Sequence, residues 1–356
     1  MSFLKKSSGA FFLTASFLTI PMISNRNLDN RTQTIFVEYN IDKDEADLKC
    51  NDIAKIHLSD FIFYSCKEDL DFSLVSKIEY IDAVKKYAKE KLGMKQTSNY
   101  KIYKNHKTDF SKTEYRLYVT PEFIIPQRLE NWEYIEKRGN YEIDIDSHTI
   151  FYSGNEEFIS DETSYKSRGY DTVRQILTDF SGGCDLNPNF FSKNLDKQAD
   201  LVLHEDWHET IKHLNLNRML DESIATLIGK VGAINFTSWY FGEDSNEHKK
   251  AINNLMLWVD FSEKIVKYNF ELQELYGKDI PRDQKLMMKK EMLSKSRDVE
   301  MNNSYIWAYL PYTKNFLLVY EIYKGDQNID KLLEIIYNIP KNEKDGIKYL
   351  EDILKK

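Results

Sequence analysis

His204-Glu205-Asp206-Trp207-His208, followed closely by Leu220-Asp221-Glu222-Ser223-Ile224, is the stretch on which the reading of this chain turns. Residues four apart on an α-helix lie on one face, one turn above the other. His204 and His208 can therefore reach a single ion. Glu205 is rotated by one position but stays near the open side of that ion. There it can take a proton from an attacking water and return it to a leaving amine. A hydrolytic zinc site has three protein ligands and keeps its fourth position open. Glu222 is the best candidate for the third ligand. The competing reading makes it a helix N-terminal carboxylate that satisfies backbone N–H groups.

Other zinc patterns fit less well. An HExxHxxGxxH arrangement needs Gly at 211 and His at 214, where the chain has Ile211 and Leu214. His213 lies five residues past His208 and points away from the ligand face of a continuous helix. No inverted HxxEH occurs. The residues thus point to one Zn2+ held by His204, His208 and Glu222, and to a metallopeptidase with Glu205 as its proton acceptor and donor.

Outward from the motif, Leu195, Ala199, Val202, Leu203, Trp207 and Ile211 recur at helical spacing. They predict a helix over 194–214, with a second over 219–239 carrying Glu222. Further helices are expected at 74–93 (stopped by Gly93), 164–178, 246–276, 283–324, 328–337 and 342–355. The 283–324 segment should break near Asn302 or Pro311, because an internal proline interrupts a helix. Strands are expected at 34–39 and within 99–155, for example Tyr115 to Val119. Ile56 to Cys66 is short and apolar, and Gly182-Gly183 marks a loop. The fold class is α+β: a mixed part, 25–160, packed on a mostly helical core, 161–356, as one unit.

Hydrophobic residues make up 42% of the 356, enough for a substantial core. The net charge of −8 gives no footprint for nucleic acid. Lys5 and Lys6 precede an apolar run from Gly9 to Ile20, which reads as an export signal within residues 1–24. The chain is then expected outside the cytoplasm, periplasmic or envelope-associated or secreted. An uncleaved segment would be its one contact with membrane. Two readings of the cysteines stay open: a Cys50–Cys66 disulfide with Cys184 apart, or three buried thiols.

The chain also resembles the bacterial predicted aminopeptidases, a family of exported HExxH proteins. Tyr87 to Met94 is similar to the family's helix ending in Leu-Gly-Leu. Pro121-Glu122-Phe123 resembles its Pro-Glu-Phe turn, and Gly169-Tyr170-Asp171 its Gly-Tyr-Asp. Asp221-Glu222-Ser223 stands where the family has Asn-Glu-Ser. Asn302-Asn303 and Tyr312 resemble a C-terminal helix of the form Asn-Asn…Tyr-Tyr. Asp206 and Trp207 fill positions that are usually Leu and Ala, and Asp206 is expected to put an extra charge beside Glu205. The lipobox Cys is missing, and the family's aromatic-glycine segment is not recognisable between 140 and 165. The resemblance runs over residues 75–340 in order. It implies a zincin-like, gluzincin-type core, with His204, His208 and Glu222 as ligands, Glu205 as catalyst and a peptide or protein as substrate. Aminopeptidase activity is implied by the resemblance, while the residues themselves leave exopeptidase and endopeptidase open, together with a non-catalytic zinc-stabilised envelope protein.

An oxyanion donor is also needed. Tyr312 is the first choice, because a phenol can donate and the family pattern keeps a Tyr there, with an ordinary packed tyrosine as the competing reading; Tyr170 and Tyr240 are rivals. Thr226 is read either as a hydrogen-bond partner of Glu222 or as an ordinary backbone-bonded threonine. His213 either binds substrate or stabilises a helix C-terminus. Glu209, Asp221 and Asp185 are candidate anchors for a substrate amine. Trp239-Tyr240-Phe241 is read as core in preference to a pocket lining, and Tyr305, Trp307, Tyr309, Phe316 and Tyr320 as core.

Overall fold

A computed structural model describes residues 36–38, 53–58, 61–66, 72–101, 103, 114–127, 134–136, 148–152, 155–177, 184, 186–295, 301–340 and 343–355. In chain order the elements are β1 (Phe36–Glu38), β2 (Ile53–Leu58), β3 (Phe61–Cys66), α1 (Phe72–Leu92), β4 (Glu114–Pro121), β5 (Tyr134–Glu136), β6 (His148–Tyr152), α2 (Asn155–Ser167) and β7 (Tyr170–Leu177). Nine helices follow among the described residues: α3 (Pro188–Phe191), α4 (Leu195–Ile211), α5 (Arg218–Phe241), α6 (Asn246–Tyr276), α7 (Arg282–Leu293), α8 (Asn303–Thr313), α9 (Phe316–Asp326), α10 (Ile329–Tyr337) and α11 (Glu343–Leu354). The fold is α+β and mostly helical. The export segment 1–24, Asp185, the Gly182-Gly183 loop and the Cys50–Cys66 pairing lie outside the described residues; Cys184 is buried.

The centre is an antiparallel pair, α4 and α5, joined by a short 3-10 turn at Lys212–Leu214. Val202, Leu203, Trp207, Leu220, Ile224 and Ile228 are fully buried between this pair and its neighbours α1, α6 and α9. Each such side chain contributes about 1.5–3 kcal/mol by leaving water. The Asn217 side chain caps α5 by accepting from the Met219 N–H at 2.8 Å. Gly242, at φ +91, ends it. Ser245 caps the long α6 in the same way.

Strands β5-β6-β4-β7 form a sheet, with β4 antiparallel to both neighbours and β5 parallel to β6. Leu117 and Val119 of β4 pack with Ile150 and with Phe158 of α2. The alternate residues of β4 meet α8: Tyr118 packs edge-on against Trp307 at 5.7 Å, and Thr120 hydrogen-bonds Ser304 at 2.9 Å. A separate antiparallel sheet contains β1, β2 and β3.

Three segments distant in sequence meet where α8 begins. Asp171 accepts from the Asn303 N–H at 2.8 Å and from Lys289 Nζ at 2.6 Å. The Asn303 amide donates to the carbonyls of Pro121 and Glu122, and Asn302 donates to that of Thr172. The Pro121-Glu122-Phe123, Gly169-Tyr170-Asp171 and Asn302-Asn303 stretches thus form one knot that ties α8 to the sheet.

One expectation is corrected, and two others gain detail. The helix expected at 164–178 stops at Ser167, and Tyr170–Leu177 is a strand. Gly169, at φ +84, turns the chain there, and eight paired positions with β4 outweigh the local helical pattern. The apolar segment 56–66 belongs to a hairpin, with Ile53–Leu58 paired to Phe61–Cys66. The long helix expected at 283–324 breaks twice. Asn302 caps a new helix through the Tyr305 N–H, and α8 ends two residues after Pro311.

Candidate metal centre

Helices α4 and α5 bring His204, His208 and Glu222 together, and no other group of metal-ligating side chains is this compact among the described residues. Nε2 of His204 and Nε2 of His208 lie 3.1 Å apart. Oε2 of Glu222 lies 3.5 Å from the first and 3.3 Å from the second. A tetrahedral zinc ion with bonds of about 2.0–2.1 Å has donor–donor edges of about 3.3–3.4 Å. The triangle already has edges of that size. Two imidazoles and one carboxylate are also a donor set that suits zinc. The residues present therefore fit one ion with three protein ligands.

The surroundings aim these donors. Asp221 Oδ1 lies 3.1 Å from His208 Nδ1, which turns the other ring nitrogen towards the triangle. Burial alone would make His208 less basic. Its hydrogen bonds to Asp221 and Glu222 outweigh this and push it up to about 10. Burial likewise favours a neutral Glu222, but the two imidazoles hold its carboxyl well below the usual range. The second carboxylate oxygen of Glu222 faces Arg218 Nε at 3.7 Å. Glu205 follows His204 on α4 and is half-buried; its backbone carbonyl accepts from the Asn99 amide at 3.2 Å.

The Tyr312 ring stands 6.4 Å from that of His204. The negative charge of Glu222, then burial, push its phenol well above its ordinary value. Its position follows from the break between α8 and α9. Ser223, beside Glu222, donates from Oγ to the Pro311 carbonyl at 2.9 Å and accepts from the Asn315 N–H at 3.3 Å. The rivals belong to other clusters. Tyr170 packs against Tyr165 and Arg168, and Tyr240 against Tyr80 and Phe236.

The structure separates the alternatives that the sequence left open for several neighbours. The hydroxyl of Thr226 donates to the backbone carbonyl of Glu222 at 2.7 Å, not to its carboxylate. His213 sits at the end of α4 with Nδ1 3.2 Å from the Thr210 carbonyl, the helix-terminal reading. Glu209 pairs with Lys212 on the surface. Asp206 does not place its charge in the site. It is buried on the far side of α4, paired with Lys85 Nζ at 2.6 Å and hydrogen-bonded by Thr97. No sequence spacing signals the Lys85 pairing, because the partners are 121 residues apart. The Asp221 contact was within reach of the sequence, since a carboxylate next to a candidate ligand is a common orienting partner.

Comparison with protein-family models, with curated proteins and with solved structures finds no match.

Proposed function

We propose that this chain is a one-zinc hydrolase of peptide bonds with a zincin-like core. His204, His208 and Glu222 hold the ion, and the donor triangle is the observation that carries the reading. Bound zinc polarises a carbonyl and makes water nucleophilic at neutral pH. Glu205 accepts the proton of the attacking water and delivers it to the leaving amine. Asp221 keeps the His208 ring turned towards the ligand position. Tyr312 stays protonated at neutral pH and donates to the oxygen on which charge develops. The substrate is a peptide or protein, and the basic and apolar N-terminal segment supports action outside the cytoplasm. Aminopeptidase action rests on the resemblance to the predicted aminopeptidases.

Endopeptidase action is the second reading. Asp221, the nearby acid best placed to hold a substrate's free amine, is engaged by His208. A non-catalytic role, motivated by Asp206 and by the missing aromatic-glycine segment, keeps only the second motive, because the charge of Asp206 is matched by Lys85.

Digestion of a peptide library by the zinc-loaded protein, with Glu205→Gln beside it, tests all three. Release of single N-terminal residues by the wild type alone supports the aminopeptidase. Internal cuts that persist on N-terminally blocked peptides support the endopeptidase. Absence of cleavage, with zinc bound, leaves the structural role.

A further inference from the structure

The two ligand-bearing helices are in close contact one turn before His204. A Cβ added at Gly229 would lie 2.6 Å from Asp200 Oδ1, 2.7 Å from the Asp200 carbonyl and 3.2 Å from His204 Cβ. Such separations are below van der Waals contact, so only glycine fits without a shift. Gly232, three residues on, meets Leu203 the same way, with a Cβ–Cδ1 separation of 2.8 Å. The glycines share one face of α5 and let its backbone rest directly on α4. Glu222 lies on the same helix, seven residues before Gly229, or about 10 Å along the axis. Any change in the spacing at Gly229 is therefore carried to the edge between Glu222 and the two imidazoles.

A buried charge cluster marks the same crossing. Asp200 Oδ2 accepts from Lys230 Nζ of α5 at 3.0 Å and from Lys197 Nζ of its own helix at 2.7 Å. Asp200 and Lys230 are 6% and 4% exposed. Lys230 also lies 4.7 Å from the centre of the Trp258 ring on α6. A buried ion pair adds little net stability compared with apolar packing, and its best-attested use is to fix register. Here the register it fixes is that of α4 against α5.

We infer that Gly229, Asp200 and Lys230 are positioning residues for the metal centre, setting the separation and register of α4 and α5 so that His204, His208 and Glu222 close to a zinc-sized triangle. This rests on the metal-centre reading above. None of the three touches the ion or the substrate.

The test uses the full chain and the metal alone. Zinc affinity is measured by competition with a chromophoric chelator, and the visible spectrum of the cobalt(II) form reports coordination geometry. Gly229→Ala, Asp200→Asn and Lys230→Met are compared with the wild type and with Leu272→Ala. Leu272 belongs to the separate cluster around Trp307, so its variant controls for lost stability alone. The expected result is zinc binding weaker by about tenfold or more in the three variants, with weakened cobalt bands. Leu272→Ala keeps wild-type affinity and spectrum. Should Gly229→Ala fail to fold, Lys230→Met, which keeps the side-chain length, carries the measurement. Wild-type affinity and spectrum in folded Asp200→Asn and Lys230→Met would overturn the inference and leave the metal centre standing. A wild-type chain that binds neither zinc nor cobalt would overturn both.

Discussion

Asp221 Oδ1 and His208 Nδ1 are 3.1 Å apart, and the opposite nitrogen of the same ring lies 3.1 Å from Nε2 of His204. One imidazole thus joins a carboxylate outside the triangle to the triangle itself. Replacing Asp221 by Asn keeps the shape but removes the charge. Zinc affinity should fall about 10–100-fold, while the melting temperature in excess chelator stays near that of the wild type. Unchanged affinity would make Asp221 a bystander.

Tyr312→Phe separates stabilisation of the oxyanion from metal binding. The ring can keep its place over His204 while the donor is lost. Peptide hydrolysis should slow about 10²–10³-fold in kcat, with zinc content and KM little changed. A variant with full kcat would return Tyr312 to a packing role.

Asp206 gives a prediction about stability rather than chemistry. Asp206→Ala leaves Lys85 buried with its carboxylate gone. The expected loss is about 3–5 kcal/mol in denaturant unfolding. The double variant Lys85→Met with Asp206→Leu removes both charges and should recover most of it. Failure of the double variant to recover would mean that the hydrogen bond from Thr97 matters more than the ion pair.

Acid should selectively weaken the α4–α5 crossing. Burial would raise the Asp200 carboxyl, but Lys197 and Lys230 outweigh this and hold it well below the usual range. A depressed carboxylate stabilises the fold at pH above its unfolded value of about 3.9, and this contribution fades as pH falls through the folded value. Wild type should therefore be clearly more stable than Asp200→Asn near neutrality, with the gap narrowing below about pH 4. A gap independent of pH across that range would rule out the charge as its source.

The helical half of the fold was largely legible in the sequence, because α4 and α5 carry apolar periodicity. Asn217 and Ser245 open helices, and Gly242 closes one. The candidate ligands were legible for the same reason, since four-residue spacing on a helix is a geometric statement. What sequence could not supply depends on partners far along the chain. β7 was misread because its helical local pattern is overruled by pairing with β4. Asp206 looked like an intruder in the site until Lys85 was seen behind it. The Asn302-Asn303 pair gave no hint that its amides reach Pro121, Glu122 and Thr172.

All three candidate ligands come from a single helical hairpin, Leu195 to Phe241, closed by only a few residues. The sheet, by contrast, needs β4 to find β7 across the 48 residues between Pro121 and Tyr170. Local contacts form early in folding, and distant strand pairing forms late. The donor set can accordingly assemble while the sheet is still open, and an ion captured then would stabilise the hairpin as a folding nucleus. Zinc present during refolding should protect the amides of α4 and α5 from pulsed hydrogen exchange before those of β4. Simultaneous protection would show that the hairpin waits for the rest of the chain.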